Sequence, residues 1–258
     1  MKAMEEIHYL LGNSCDLNCD FCFWDAKLAD VPLEFKKRII DQIVKTGIKR
    51  VTLSGGEPLC ASNFLETLEY TKNNGLEVIL HTNGLRINES LAKQIAPLVS
   101  RVSLTFDAAD EEVMAKMRGR GEMLGQNISL IRTFNELKVP VNVKTLLTRI
   151  NKDQMESIGE TLSGLPIQYW SILEFIPLNR GKTNKEKFFL SSEDFNDIYG
   201  KIKERFPSMD IRARRFSENN DNYCFIAANG DVYTYRNNKD TLMGSIKEED
   251  LSAIISRI

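Results

Sequence analysis

The chain has 258 residues, of which 42% are hydrophobic and 27% charged, and its formal net charge is -2. These values exclude a disordered chain, a collagen and a small disulfide scaffold. They leave no global basic field for a nucleic-acid polymer, and no run of ~18 apolar residues predicts a membrane span.

The length suits one or two domains, including a single α/β barrel of ~250 residues. Residues 1–16, MKAMEEIHYLLGNSCD, place two glutamates before a short apolar run. A secretory signal needs a basic start and a longer apolar core, so a cytoplasmic protein is expected.

Residues 7–11 read as a first buried strand. Over 33–46, Phe35, Ile39, Ile40, Ile43 and Val44 recur at helical spacing, and Gly47 stops the helix. A second strand, 50–53, breaks at Gly55-Gly56. A helix over 64–74 and a strand over 77–82 follow, the strand ending at Asn83-Gly84. Asn88 is an N-cap for a helix reaching Ile95.

Residues 99–106 are the fourth strand. Helices over 111–117 and 123–136 flank a Gly-Arg-Gly interruption. Strand 141–147, helix 152–164 and strand 168–176 complete the series. Six strand–helix repeats predict an α/β fold with a parallel sheet wound by helices. Six are too few for a closed eight-stranded barrel, so residues 1–177 are read as a partial (β/α)6 TIM-like barrel.

The rhythm changes after Pro177. Residues 179–187 are polar and loop-like. Residues 191–206 form an amphipathic helix capped by Ser191 or Ser192, with Asp194 in its first turn. Short strands are predicted over 210–216, 223–227 and 231–235, the last two joined as a hairpin at Asn229-Gly230. A helix over 248–258 closes the chain. Residues 178–258 are thus expected to be a C-terminal α/β extension covering the open side of the barrel.

There are five cysteines: Cys15, Cys19, Cys22, Cys60 and Cys224. An odd count, with three packed together, is a poor disulfide framework and points to metal or redox chemistry. Cys15, Cys19 and Cys22 form C-x3-C-x2-C. Three thiolates in one loop can hold three corners of an iron–sulfur cluster and leave the fourth iron open. Zinc is the alternative, with His8 as a fourth ligand from the preceding strand. Cys60 and Cys224 read as core thiols, and Trp24 and Trp170 as packing.

The cysteine motif, with Phe21 before its last cysteine, resembles that of the radical S-adenosylmethionine (radical SAM) superfamily. Ser54-Gly55-Gly56-Glu57-Pro58 resembles the superfamily's GGEP segment, whose backbone meets the amino group of SAM. Glycine there lets the chain approach the ligand closely. The resemblance spans about residues 5–177. It implies a [4Fe-4S] cluster on Cys15, Cys19 and Cys22, with SAM chelating the open iron. It also implies reductive cleavage of SAM to a 5′-deoxyadenosyl radical, which takes a hydrogen atom from substrate. A reducing donor such as flavodoxin or ferredoxin is implied with it.

Carried over residue by residue, the resemblance puts Phe21 at the adenine, and Ser54, Gly55, Gly56 and Glu57 at the amino end. Thr82, Asn83 and Thr105 would face SAM's polar groups. Arg118 or Arg120 would pair with its carboxylate, and residues 174–177 would border adenine. Read from the residues alone, Thr82-Asn83-Gly84 is also an ordinary turn and the arginines a solvated face.

A finer likeness is to the viperin branch, antiviral enzymes that dehydrate nucleoside triphosphates to 3′-deoxy-3′,4′-didehydro products. It is carried by Cys22-Phe23-Trp24-Asp25-Ala26-Lys27, Val31-Pro32-Leu33-Glu34, Phe106-Asp107 and Gly119-Arg120-Gly121. It implies a small-molecule substrate, a nucleoside triphosphate, held with the help of Lys27, Arg50 and Lys144. The chain departs from that branch at Tyr169 and Ser171, where basic residues are expected, and at His8, where asparagine is expected. Arg212 and Arg214, which point the same way in an extended segment, supply compensating charge or form a solvent-facing strand.

Two other readings stay open. One is a radical SAM enzyme acting on a peptide, sugar or other small molecule. The hairpin over 223–235 and Met243-Gly244-Ser245-Ile246 resemble a decayed cysteine-rich extension of peptide-modifying members. The other is a non-catalytic zinc or iron–sulfur protein.

Overall fold

A computed structural model describes residues 4–23, 30–215, 224–236 and 239–258. The first half alternates strand and helix: β1 (Glu6–Leu10), α1 (Leu33–Lys45), β2 (Arg50–Ser54), α2 (Phe64–Asn73), β3 (Glu77–Thr82), α3 (Glu89–Ile95) and β4 (Arg101–Thr105). It continues through α4 (Glu111–Arg118), α5 (Met123–Glu136), β5 (Val141–Leu147), α6 (Met155–Ser163) and β6 (Tyr169–Glu174). The remainder comprises α7 (Asn179–Thr183), α8 (Lys185–Phe188), α9 (Ser192–Arg205), β7 (Ile211–Arg214), β8 (Cys224–Ile226), β9 (Asp231–Arg236), β10 (Lys239–Ser245) and α10 (Leu251–Ile255).

The strands make one ten-stranded sheet in the order β10-β9-β8-β1-β2-β3-β4-β5-β6-β7. Pairing from β8 through β1 to β7 is parallel, and β9 and β10 are antiparallel. The edge strands β10 and β7 are not joined, so the barrel is open, as the count of repeats predicts. Residues 178–258 extend the same sheet at both ends: β7 beside β6, and β8 to β10 beside β1.

One face of each strand packs on the helices. Val51, Leu53, Val78, Leu80, Val102, Leu104, Val141 and Val143 join the helical Ile39, Ile43, Leu68 and Ile131 in the main apolar core. Strand side chains alternate, so Thr52, His81, Ser103, Asn142 and Lys144 go to the other, inner face. That face carries the polar groups of the site.

The caps match the sequence. Asn88 Oδ1 accepts from Leu91 N at 2.9 Å, and Ser191 Oγ accepts from Asp194 N at 3.0 Å. Gly230 has φ 89° in the hairpin between β8 and β9. Two elements differ. Residues 179–187, expected as loop, form α7 and most of α8. Their side chains grip the cysteine loop: Asn184 Nδ2 donates to Asp20 O at 3.2 Å, and Lys187 pairs with Asp20 at 2.8 Å. Strand β10 was not expected, because its residues do not alternate and a bulge interrupts it between Leu242 and Gly244. Among the described residues no helix is long and apolar enough to cross a membrane.

Trp170 is fully buried on β6, and its indole N–H donates to Thr145 Oγ1 at 2.8 Å. Trp170→Ala should lower unfolding free energy by about 3–5 kcal/mol in urea titration. A loss under ~1 kcal/mol would mean this layer is not part of the cooperative core.

Candidate active site

The site is built where β1 and β2 end. Leu11 N donates to Ser54 O, Gly56 N to Gly12 O and Glu57 N to Ser14 O, each at 2.9 Å. The segment after β2 is thereby zipped to the root of the cysteine loop. Side chains would prevent it. A Cβ on Gly56 would lie 2.4 Å from Ser14 O and 2.6 Å from Asn13 O, and one on Gly55, at φ 135°, 2.4 Å from Gly12 O. The neighbours are backbone, which has little room to yield.

The loop carries Cys15 exposed, Cys19 buried and Cys22 between the two. Leu17 N donates to Cys15 Sγ at 3.4 Å, and Cys22 N to Cys19 O at 3.2 Å. Phe21 is buried, edge-on to Phe188 of α8. Gly181 N of α7 reaches Cys22 O at 3.4 Å.

Glu57 is nearly fully buried. Its carboxylate accepts from Thr82 Oγ1 at 2.7 Å, Asn83 N at 2.7 Å and Leu59 N at 3.3 Å. Burial pushes its pKa up to about 7, against the pull of those donors. Asn83 Nδ2 donates to Asp16 Oδ1 at 2.7 Å. Thr82 and Asn83 therefore tie the end of β3 to Glu57 and to the cysteine loop. Ser54 ends β2, and Thr105 ends β4 with its carbonyl held by Asn127 Nδ2 at 2.7 Å.

The two arginines part company. Arg120 is exposed and sits 3.5 Å from Glu122. Arg118 turns inward. Its Nε donates to the fully buried Asp107 at 2.5 Å, its Nη1 to Cys19 Sγ at 3.8 Å, and its guanidinium lies 4.6 Å from the Phe21 ring centroid. Burial pushes the Cys19 thiol up, and Arg118 opposes it.

Deeper in the barrel, Lys144 Nζ of β5 lies 2.9 Å from both ring nitrogens of His81 on β3. The His81 ring is 5.8 Å from that of His8 on β1, and His8 is 3.7 Å from Glu6. Burial, aided by the charges of Arg101 and Arg214 and opposed by Glu6, brings Lys144 down to about 7. His8 falls to about 4, chiefly by burial, with Glu6 opposing. His81 falls well below its usual value through burial, Lys144 and His8. Both imidazoles are neutral near pH 7, in a field dominated by cations.

The other predicted substrate contacts are scattered. Ser171 is buried opposite Lys144 and Arg212 in the sheet register. Tyr169 lies under Arg212, 3.9 Å from its guanidinium, with Arg101 at 5.4 Å. Arg212 is also bound to Asp210. Arg50 starts β2, at the strand end opposite the cysteine loop, where Glu77 holds it at 3.1 Å and Glu6 lies 3.9 Å away. Lys27 lies outside the described residues. His81, Arg101, Asp107 and Asp16 were missed by the sequence reading. For the first two, alternation along β3 and β4 was the available signal.

The superfamily model for radical SAM proteins matches residues 9–163. The chain belongs to the radical SAM superfamily. It is 26% identical over 203 residues to an AdoMet-dependent heme synthase of Methanosarcina barkeri, covering 76% of this chain and 57% of that one. It is 23% identical over 222 residues to an S-adenosylmethionine-dependent nucleotide dehydratase of Lacinutrix mariniflava, covering 79% and 45%. The chain thus spans about half the length of these curated relatives. Among solved structures, SuiB of Streptococcus suis bound to a precursor peptide aligns with TM-score 0.79 at 17% identity, over 97% of this chain and 64% of that one. AnSMEcpe with bound AdoMet aligns with TM-score 0.74 at 17% identity, over 96% and 79%. These two likenesses establish the fold.

Radical SAM enzymes use a [4Fe-4S] cluster and SAM, and the residues here fit them. The loop offers three soft sulfur donors. The paired glycines leave a backbone-lined cradle beside it that a Cβ would fill. Among the described residues no three His, Cys, Asp or Glu converge to share one ion. A cluster needs no such convergence, because each thiolate bonds a different iron.

Gly56→Ala should leave the barrel folded but displace the cysteine loop. Iron and sulfide retained after anaerobic reconstitution should fall by at least half, and unchanged content would refute the steric argument. His8→Asn tests the half-buried imidazole. A histidine whose folded pKa lies below its unfolded one supplies stability above pH ~6.5 that is lost as pH falls through ~4. The variant should flatten that limb of the stability curve in urea melts between pH 7 and 4.

Proposed function

We propose that this radical SAM enzyme acts on a small anionic molecule, a nucleoside triphosphate first, by a viperin-like dehydration. The observation that carries the reading is the Lys144–His81 contact inside the barrel, with Arg101 and Arg214 acting on it and Glu6 as the opposing carboxylate. Lys144, His81 and Arg101 are half-buried and Arg214 is exposed, and a lysine whose charged form is disfavoured by burial and by neighbouring cations is stabilised by an anionic ligand. The likeness to a nucleotide dehydratase supports the same choice.

In this reading Cys15, Cys19 and Cys22 hold the cluster. When bound, cluster and SAM supply a 5′-deoxyadenosyl radical that abstracts hydrogen from substrate. Ser54, Gly55, Gly56 and Glu57 present backbone to the amino end of SAM, and Phe21 and Thr105 flank it. Thr82 and Asn83 position Glu57 and the loop. Lys144, His81 and His8 anchor the substrate, with Ser171 and Arg214 bordering it. Tyr169 and Arg212 form its outer wall. Residues 1–177 carry the chemistry, and residues 178–258 are the C-terminal extension that caps the barrel. A low-potential donor of the flavodoxin or ferredoxin class supplies two electrons per turnover: one cleaves SAM, and one reduces the substrate radical once its hydroxyl has left with a proton as water.

The test is to incubate the anaerobically reconstituted, reduced chain with SAM and each ribonucleoside triphosphate. One nucleotide should stimulate 5′-deoxyadenosine formation several-fold and lose one water. If none does, the nucleotide reading is wrong. Cys19→Ala should abolish SAM cleavage. Lys144→Met should raise the nucleotide KM by about tenfold or more, the worth of one charged hydrogen bond.

A further inference from the structure

The geometry points to Arg118 as the residue that raises the reduction potential of the cluster, with Asp107 as the strut that aims it. The inference rests on the cluster assignment to Cys15, Cys19 and Cys22, and it concerns the sulfur of Cys19.

Arg118 ends α4, where Gly119 takes φ 82° and stops the helix. Its guanidinium is fixed on three sides. Nε is bound to Asp107 at 2.5 Å, Nη1 faces Cys19 Sγ at 3.8 Å, and the plane lies 4.6 Å from the Phe21 centroid. Asp107 cannot swing away. It is fully buried, its second oxygen accepts from Leu146 N at 2.7 Å, and its carbonyl accepts from Asn151 Nδ2 at 2.8 Å. Asn151 is itself buried and holds Leu146 O at 2.9 Å. The strut therefore reaches from β5 through Asp107 to Arg118 and the cysteine.

One-electron reduction adds one negative charge to the cluster and its thiolates. A cation and N–H donor at a ligand sulfur stabilise the reduced form more than the oxidised one, which raises the potential. Cys19 and Asp107 are buried and the Arg118 side chain is 17% exposed, so water screens the charge only in part. Asp107 carries the opposite charge, but it is bound at Nε, whereas Nη1 is the guanidinium nitrogen that faces Cys19 Sγ. The net effect is positive.

The test compares the parent chain with Arg118→Gln and Arg118→Lys, each reconstituted to the same iron content. Dithionite supplies the electron through mediator dyes, and the reduced cluster is followed by electron paramagnetic resonance without SAM. The glutamine variant should titrate at a more negative potential than the parent, and the lysine variant in between, since it keeps the charge and loses the fork.

Parental potentials in both variants, or a positive shift, would overturn the inference. So would weakened SAM binding with an unchanged SAM-free potential, which assigns Arg118 to the SAM carboxylate alone. Loss of the cluster from both variants, at parental circular dichroism, would make Arg118 a support of the loop and also refute it. A parent chain that takes up no iron and sulfide would instead defeat the cluster assignment itself.

Discussion

Three backbone hydrogen bonds between the end of β2 and the root of the cysteine loop govern the rest of the site. They run from Leu11, Gly56 and Glu57 to Ser54, Gly12 and Ser14. Peptide groups at this separation exclude a Cβ. Once the contact forms, three thiols are held at the mouth of the barrel, and Glu57 is buried where Thr82 and Asn83 can reach it. The glycines thus join the cysteine loop and the segment after β2 into one hydrogen-bonded unit. Neither half would keep its shape without the other.

The barrel separates its chemistry by face. Outward residues are mainly apolar and pack under the helices, whereas the inner face sets His8, His81, Ser103, Asn142, Lys144 and Ser171 among apolar residues such as Leu10 and Ile79. Parallel strands covered on both sides usually read as continuous hydrophobic runs. Here His81 interrupts Val78-Ile79-Leu80, and Lys144 interrupts Val143 and Thr145. Such interruptions cost stability unless a ligand or partner compensates them. The apparent exceptions to good packing therefore mark the inner face of the sheet.

Much of the architecture was legible because strand and helix have different periods. The six repeats, the caps at Asn88 and Ser191 and the Asn229-Gly230 turn are all local signals. The cysteine triad and the double glycine were legible for the same reason, as short-range spacings. What escaped depends on contacts between distant segments. The helices over 179–188 exist because they dock on the cysteine loop. Arg118 and Arg120 look equivalent in sequence, yet only Arg118 has Asp107 within reach. Arg50 reads as one more cation but sits at the far end of its strand, between two glutamates. His81 was visible as a residue, and its meeting with Lys144 required the sheet order.

Strand β1 has β2 on one side and β8 on the other. As the polypeptide leaves the ribosome, β2 follows soon after β1, but everything from Leu10 to Cys224 must emerge before β8 can pair. Until then one flank of β1 exposes unpaired amides, a hazard that parallel sheets of high contact order share. The segment leading from β1 carries the cysteines, so the strand that feeds their loop is among the last to be secured. Metal insertion that waits for release of the finished chain would meet a settled loop, and earlier delivery would meet a fluctuating one.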